Sequence, residues 1–140
     1  MSNLTPSEIT RVKDAIHNSA DPRHFMKLKP VDRRIRISHE GIVLAQSQNA
    51  LRVLEVGHDL YDPAFYVPKS DVVVSLRLSQ TTSNCPLKGD AQYYDLIDDQ
   101  GTVIETDIAW TYTKPYMFAQ PLTDHVAFVA SHVSIEEAPL

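Results

Sequence analysis

The sequence predicts a mainly β domain of compact antiparallel sheets with a short N-terminal helix, and three observations carry that reading. Val72, Val74, Leu76 and Leu78 alternate with Val73, Ser75 and Arg77, the pattern of a strand with one buried face. From residue 31 onward such runs follow one another at intervals too short for crossover helices, so neighbouring strands must run antiparallel. A chain of 140 residues that is 43% hydrophobic has enough apolar side chains for one core and too few residues for two domains of ordinary size.

Thr5-Pro6-Ser7-Glu8 has the form of a helix start, with Thr5 as cap, Pro6 at the first helical position and Glu8 closing a capping box. Ile9, Val12 and Ile16 then share one face, which predicts an amphipathic helix over residues 6–18. Asp21-Pro22 and Lys29-Pro30 mark residues 19–30 as a connecting arm, docked through Phe25, Met26 and Leu28. The organisation is therefore a helix and arm over 1–29 and a β domain over 30–140. Within the latter, residues 35–38 and 42–45 form a hairpin about Glu40-Gly41, and a third strand covers 51–56. Further strands are expected near 72–78, 92–97, 103–112 and 126–130, with a turn at Asp98-Asp99-Gln100-Gly101.

The formal charge of -5 argues against nucleic acid or an anionic membrane as partner, because both require clustered Lys and Arg. The one basic run, Arg33-Arg34-Ile35-Arg36, follows from strand alternation, with Ile35 and Ile37 inward. A single cysteine forms no internal disulfide, no secretory signal opens the sequence and no apolar run reaches the length of about 18 residues that a membrane span needs. A cytoplasmic protein is expected. The six histidines are dispersed and none stands at ligand spacing with a carboxylate, so neither a metal nor any other cofactor is expected.

Chemistry concentrates in Cys85-Pro86-Leu87-Lys88-Gly89-Asp90-Ala91-Gln92-Tyr93-Tyr94, a turn stiffened by proline and hinged by glycine that runs into an aromatic strand. Cys85 reads as a nucleophile if Lys88 or turn N–H groups stabilise its thiolate, and otherwise as a packing residue. Lys88 suits an anionic ligand. His125 is either a base brought in by the fold or a residue ordering the turn before its strand. Tyr93, Tyr94, Trp110, Tyr112, Tyr61 and Tyr66 are candidates to line a pocket for a planar ligand, or to pair on the sheet surface.

Four segments in fixed order resemble the DUF427 family of uncharacterised small proteins. They are Arg33–Ile37 with Gly41–Ser47, Tyr61–Val72, Thr82–Tyr94, and Ala109-Trp110-Thr111-Tyr112 with Pro115 and Asp124–Phe128. The third, Cys-Pro-x-Lys-Gly-x-Ala-x-Tyr, is the most specific, and the similarity spans roughly residues 30–136. The sequence departs from the family pattern in having Asp62 for a common proline, Leu87 for a usual aromatic, and Thr81 and Asn84 where many members carry histidine. The resemblance implies a compact antiparallel structure with the character of a β-tent or half-open barrel. The family is sometimes labelled nucleotidyltransferase, yet the Gly-Ser motif with spaced carboxylates that two-metal phosphoryl chemistry requires is missing from this sequence.

The favoured expectation is a small-ligand-binding β domain, its ligand unidentified and anionic by the character of Lys88, with a pocket built from Cys85, Lys88, Tyr93, Trp110 and His125; whether it also catalyses a reaction is left open. The alternative is a structural or protein-interaction module without catalytic activity. The N-terminal helix then either caps the sheet or reaches a second subunit in a homodimer.

Overall fold

The computed structural model of the chain describes residues 13–140. These form eleven strands: β1 (Ile16–Asn18), β2 (Asp21–Pro30), β3 (Arg33–His39), β4 (Ile42–Ser47), β5 (Leu51–Val56), β6 (Ala64–Pro68), β7 (Ser75–Cys85), β8 (Gly89–Ile97), β9 (Val103–Tyr112), β10 (His125–Phe128) and β11 (Ser134–Pro139). Eight of them build one sheet in the order β1-β2-β5-β6-β10-β9-β8-β7, and three build a second in the order β11-β3-β4. Every pairing is antiparallel. The larger sheet does not close into a barrel, since β1 and β7 lie at its opposite ends. Among the described residues no helix is long and apolar enough to cross a membrane.

The N-terminal expectation needs correction. Residues 6–12 of the expected helix lie outside the described residues, and the rest of it is a turn at Lys13-Asp14 followed by strand β1. Residues 19–30 are no arm: Asp21–Pro30 is a ten-residue strand seated between β1 and β5, with Met26 fully buried. The two prolines that suggested a turn and a boundary stand at its second and last positions, where a strand can spare a donor.

The rest follows the residue pattern except at Leu78, which the alternation placed on the buried face and which is 53% exposed. Glu40 and Gly41 take positive φ values of 47° and 82° in the β3–β4 turn, as a two-residue hairpin loop requires. Ile35 and Ile37 are buried while Arg34 and Arg36 face solvent. Strand β7 begins at Ser75, three residues later than the alternation suggested, because Val72 is taken up by an isolated bridge to Ala45.

The larger sheet buries residues on both faces. Val67 and Val126 join a core with Ile35, Ile37, Leu44, Leu96, Ile108 and Phe128 beneath the small sheet. Their neighbours Tyr66 and Ala127 point the other way, as successive strand residues must, into a second core with Met26, Val53, Leu87, Tyr112 and Leu122. That second core supports the site described next.

Leu44 contributes only to the first core and has no exposed surface. Leu44→Ala is therefore expected to cost about 3 kcal/mol in urea unfolding, whereas Leu78→Ala on β7, where the side chain is 53% exposed, should cost less than about 0.5 kcal/mol.

Candidate functional site

The tip of the β7–β8 hairpin is the Cys85–Gly89 turn. Cys85 pairs with Gly89, and the Lys88 N–H donates to the Cys85 carbonyl at 3.2 Å, closing a β-turn with Pro86 at its second position, where proline's fixed φ fits. Gly89 has φ +119°, and a Cβ there would sit 3.3 Å from the Lys114 carbonyl. Glycine thus lets this backbone adopt its angle and lie against residues 114–116, where the Tyr116 N–H donates to the Lys88 carbonyl at 3.0 Å. Leu87 is fully buried in the second core and pins the turn from below. With Leu87 inward and the backbone clamped, Lys88 is directed along the sheet and is only 5% exposed.

Lys88 Nζ donates to Glu55 Oε1 at 2.6 Å and directs a second proton at Cys85 Sγ, 3.4 Å away. The other carboxylate oxygen, Glu55 Oε2, lies 2.9 Å from His24 Nε2. Asn18 fixes the proton on that ring. Its Oδ1 accepts from the Ala20 N–H at 2.9 Å, so its amide nitrogen faces His24 Nδ1 at 3.2 Å. An amide nitrogen only donates, so Nδ1 accepts and the proton on Nε2 donates to Glu55. Gly57 leaves space for this ring and for Tyr61, whose atoms would meet a Cβ there at 3.1 and 3.2 Å respectively. Lys88 from β7–β8, Glu55 from β5 and His24 from β2 thereby form one chain of hydrogen bonds that converges on the Glu55 carboxylate.

Both members of the central pair are ionised at neutral pH. Burial pushes the Glu55 carboxyl up, but the hydrogen bond and charge of Lys88, aided by His24, more than offset this and bring it below the usual 4.5. Burial likewise pulls the Lys88 ammonium down. Electrostatic attraction to Tyr112 and Cys85, which acts only in their deprotonated forms, and the Glu55 hydrogen bond and charge reverse that and raise it above 10.5. Burial raises the phenols of Tyr66 and Tyr112 far above 10, which keeps them neutral.

Above the pair lies a row of side chains set by strand register. Tyr66 on β6 pairs with Ala127 on β10, Ala127 with Trp110 on β9, and Trp110 with Tyr93 on β8. Residues paired across strands project from the same face, and Ala127, the small one, lets the two large rings on either side of it meet. Trp110 meets Tyr66 edge-on at 6.0 Å between centroids and donates its indole N–H to the Tyr66 hydroxyl at 3.1 Å. Tyr93 stands 6.3 Å from Trp110 on the other side and exchanges a 3.1 Å hydrogen bond with Ser83. The result is a cavity of about 250 Å³ with Tyr66, Tyr93, Trp110 and Tyr112 around it and Lys88 and Glu55 at its foot. A second cavity of about 310 Å³ shares Glu55 and Tyr61 with the first and is lined by His24, Asn84 and Cys85. A wider concavity of about 650 Å³ lies on the small sheet, but Arg34, Arg36 and Glu136 there stand in solvent.

Of the residues expected from sequence, Lys88, Tyr93 and Trp110 line the first cavity and Cys85 the adjoining one. His125 lines neither. Its Nδ1–H donates to the Thr123 carbonyl at 2.8 Å, which orders the turn before β10. Tyr61, Tyr66 and Tyr112 belong to the aromatic wall, whereas Tyr94 is turned away toward Lys69, whose Nζ donates to its hydroxyl at 3.3 Å. Glu55 and His24 were missed. The available signal for Glu55 was its place two residues after Val53 in β5, on the same face as a buried residue. Among the described residues no group of His, Cys, Asp and Glu side chains is arranged to hold a metal.

A family model described as a domain of unknown function (DUF427) matches residues 27–138. That span includes Glu55, the hairpin turn and the aromatic row, and begins after His24. No curated protein matches the chain.

The Glu55 carboxyl, depressed in the fold, stabilises it above the ordinary value of 4.5, and that contribution fades as pH falls through the lower folded value. Glu55→Gln is accordingly expected to lose about 2 kcal/mol at pH 7, since it strands a buried ammonium while the carboxylate site itself keeps some solvent contact. The gap between variant and parent should narrow at pH 3, as urea titrations at the two pH values would record.

Proposed function

This chain belongs to the DUF427 family, and we propose that it is a small-molecule-binding β domain that takes a planar ring into the cavity beside the Cys85–Gly89 turn. The observation that carries this reading is the buried ammonium of Lys88 at the foot of an aromatic concavity. A buried ion pair is a poor device for stability, because desolvating both charges offsets most of their attraction, and apolar side chains of similar volume would hold the hairpin as well. Ionised groups retained in a cleft among partly exposed rings match the requirements of a ligand site. Trp110 and Tyr93 supply the stacking and edge contacts, each worth about 1 kcal/mol. If the site also catalyses, Lys88 acts as a hydrogen-bond donor, since its raised pKa keeps it from serving as an amine nucleophile at neutral pH.

One observation favours the alternative of a structural or interaction module: the Lys88–Glu55–His24 chain ties the hairpin tip to β5 and β2, a mechanical task sufficient in itself. Tyr93 separates the two readings, because it contacts the cavity and takes no part in that chain.

Trp110 is the only tryptophan, so its fluorescence reports on the cavity alone. Titration with p-cresol is expected to change it saturably, and Tyr93→Ala to weaken that response at least about fivefold, the equivalent of one lost ring contact. A response that never saturates, in a protein whose unfolding is unaffected by the ligand, would favour the module.

A further inference from the structure

Resting on that reading, we propose that the ligand's ring carries an uncharged hydrogen-bond acceptor, such as an amide or ketone carbonyl, which takes the remaining proton of Lys88, and that the site rejects both anionic and cationic forms of the same ring.

An ammonium has three N–H groups and no acceptor. In Lys88 one goes to Glu55 Oε1 and one faces Cys85 Sγ, so the third has no acceptor among the described residues; Tyr112 offers its ring face, 5.9 Å from Nζ. A ligand oxygen entering between the rings would find a donor already oriented, at no cost in side-chain ordering.

A full charge would fare worse. The sequence expectation of an anionic ligand took Lys88 as an uncompensated cation, but Glu55 neutralises it at 2.6 Å. The other charged residue at this cavity is Asp62, exposed at the rim, so the three charges of Glu55, Asp62 and Lys88 sum to -1 and oppose an anion's entry. A cation has no free carboxylate oxygen at the foot of the cavity, because Lys88 and His24 occupy the two of Glu55. An anion could take the same Lys88 proton but would bring its full charge and desolvation cost into a site already at -1, and a cation would find no partner there, whereas a neutral carbonyl loses little and gains a charge-assisted bond. The cavity's 250 Å³ equals the share of liquid taken by about eight waters, which suits a single ring with one short substituent.

Three ligands of nearly equal shape test the claim: benzamide, benzoate and benzamidinium, titrated at pH 7 against Trp110 fluorescence and checked by saturation-transfer NMR. Benzamide is expected to bind at least about fivefold more tightly than either ion. In Lys88→Met, which leaves Glu55 without its lysine, the order is expected to invert in favour of benzamidinium. In Tyr93→Ala all three should weaken together, with benzamide still first. Equal binding of the three, or preference of the parent protein for either ion, would overturn the inference and leave the ring-binding reading standing. Failure of all three to bind would overturn both. Should Lys88→Met fail to fold, the order measured on the parent protein alone decides.

Discussion

The ion pair between Lys88 and Glu55 is the constraint on which the site depends. A lysine at a hairpin tip would ordinarily extend into water, its charge solvated and its four-carbon stem free. Here Leu87 is buried on one side, Gly89 holds the backbone against residues 114–116 on the other, and the ammonium is laid under the sheet's aromatic face. Burying that charge is tolerable only because Glu55 stands within 2.6 Å, and Glu55 in turn stays ionised because Lys88, aided by His24 on its second oxygen, outweighs its burial. Removing any member leaves a charge or a lone pair without its partner, so the chain of groups behaves as a unit.

The architecture explains how such a chain is supported. The larger sheet buries side chains on both faces, one beneath the small sheet and the other around Met26, Tyr66, Leu87 and Tyr112. The second core carries the floor of the cavity, and its strands come from distant parts of the sequence: β2 and β5 supply His24 and Glu55, β6 Tyr66, β8 and β9 Tyr93 and Trp110. Ala127, between Tyr66 and Trp110 in the cross-strand row, is small enough for the Trp110 indole to reach the Tyr66 hydroxyl beside it.

Much of the fold was legible in the sequence because alternation and turn chemistry are local. The β3–β4 hairpin, β9 and the turn at residues 98–101 fall where period-two burial, Glu40-Gly41 and Asp98-Asp99-Gln100-Gly101 place them. The hairpin tip was legible for the same reason, since proline and glycine impose its shape within five residues. The N-terminal region was misread: Ile9, Val12 and Ile16 fit a helical period, yet Ile16 belongs to strand β1, and tertiary pairing with β2 overrides the spacing. Strands β6 and β11 were not anticipated, because the short Ala64–Pro68 ends in proline and Ser134–Pro139 is wholly exposed, with no buried face to show an alternation. Glu55 and His24 were invisible as partners of Lys88 because they stand 33 and 64 positions away, and only the folded sheet brings the β7–β8 tip, four strands from β5 in its order, back against them.

The central claim is that Lys88 is buried, paired and charged, and the most direct measurement is the pH titration of its side-chain 15Nζ resonance in the intact protein, assigned by comparison with Lys88→Met. The account predicts an ammonium signal that persists through neutral pH and titrates above the ordinary 10.5, with slowed proton exchange from its bond to Glu55. A resonance already that of a neutral amine at pH 7 would contradict it, because burial would then have outweighed the carboxylate and the pair at the foot of the cavity would not be ionic.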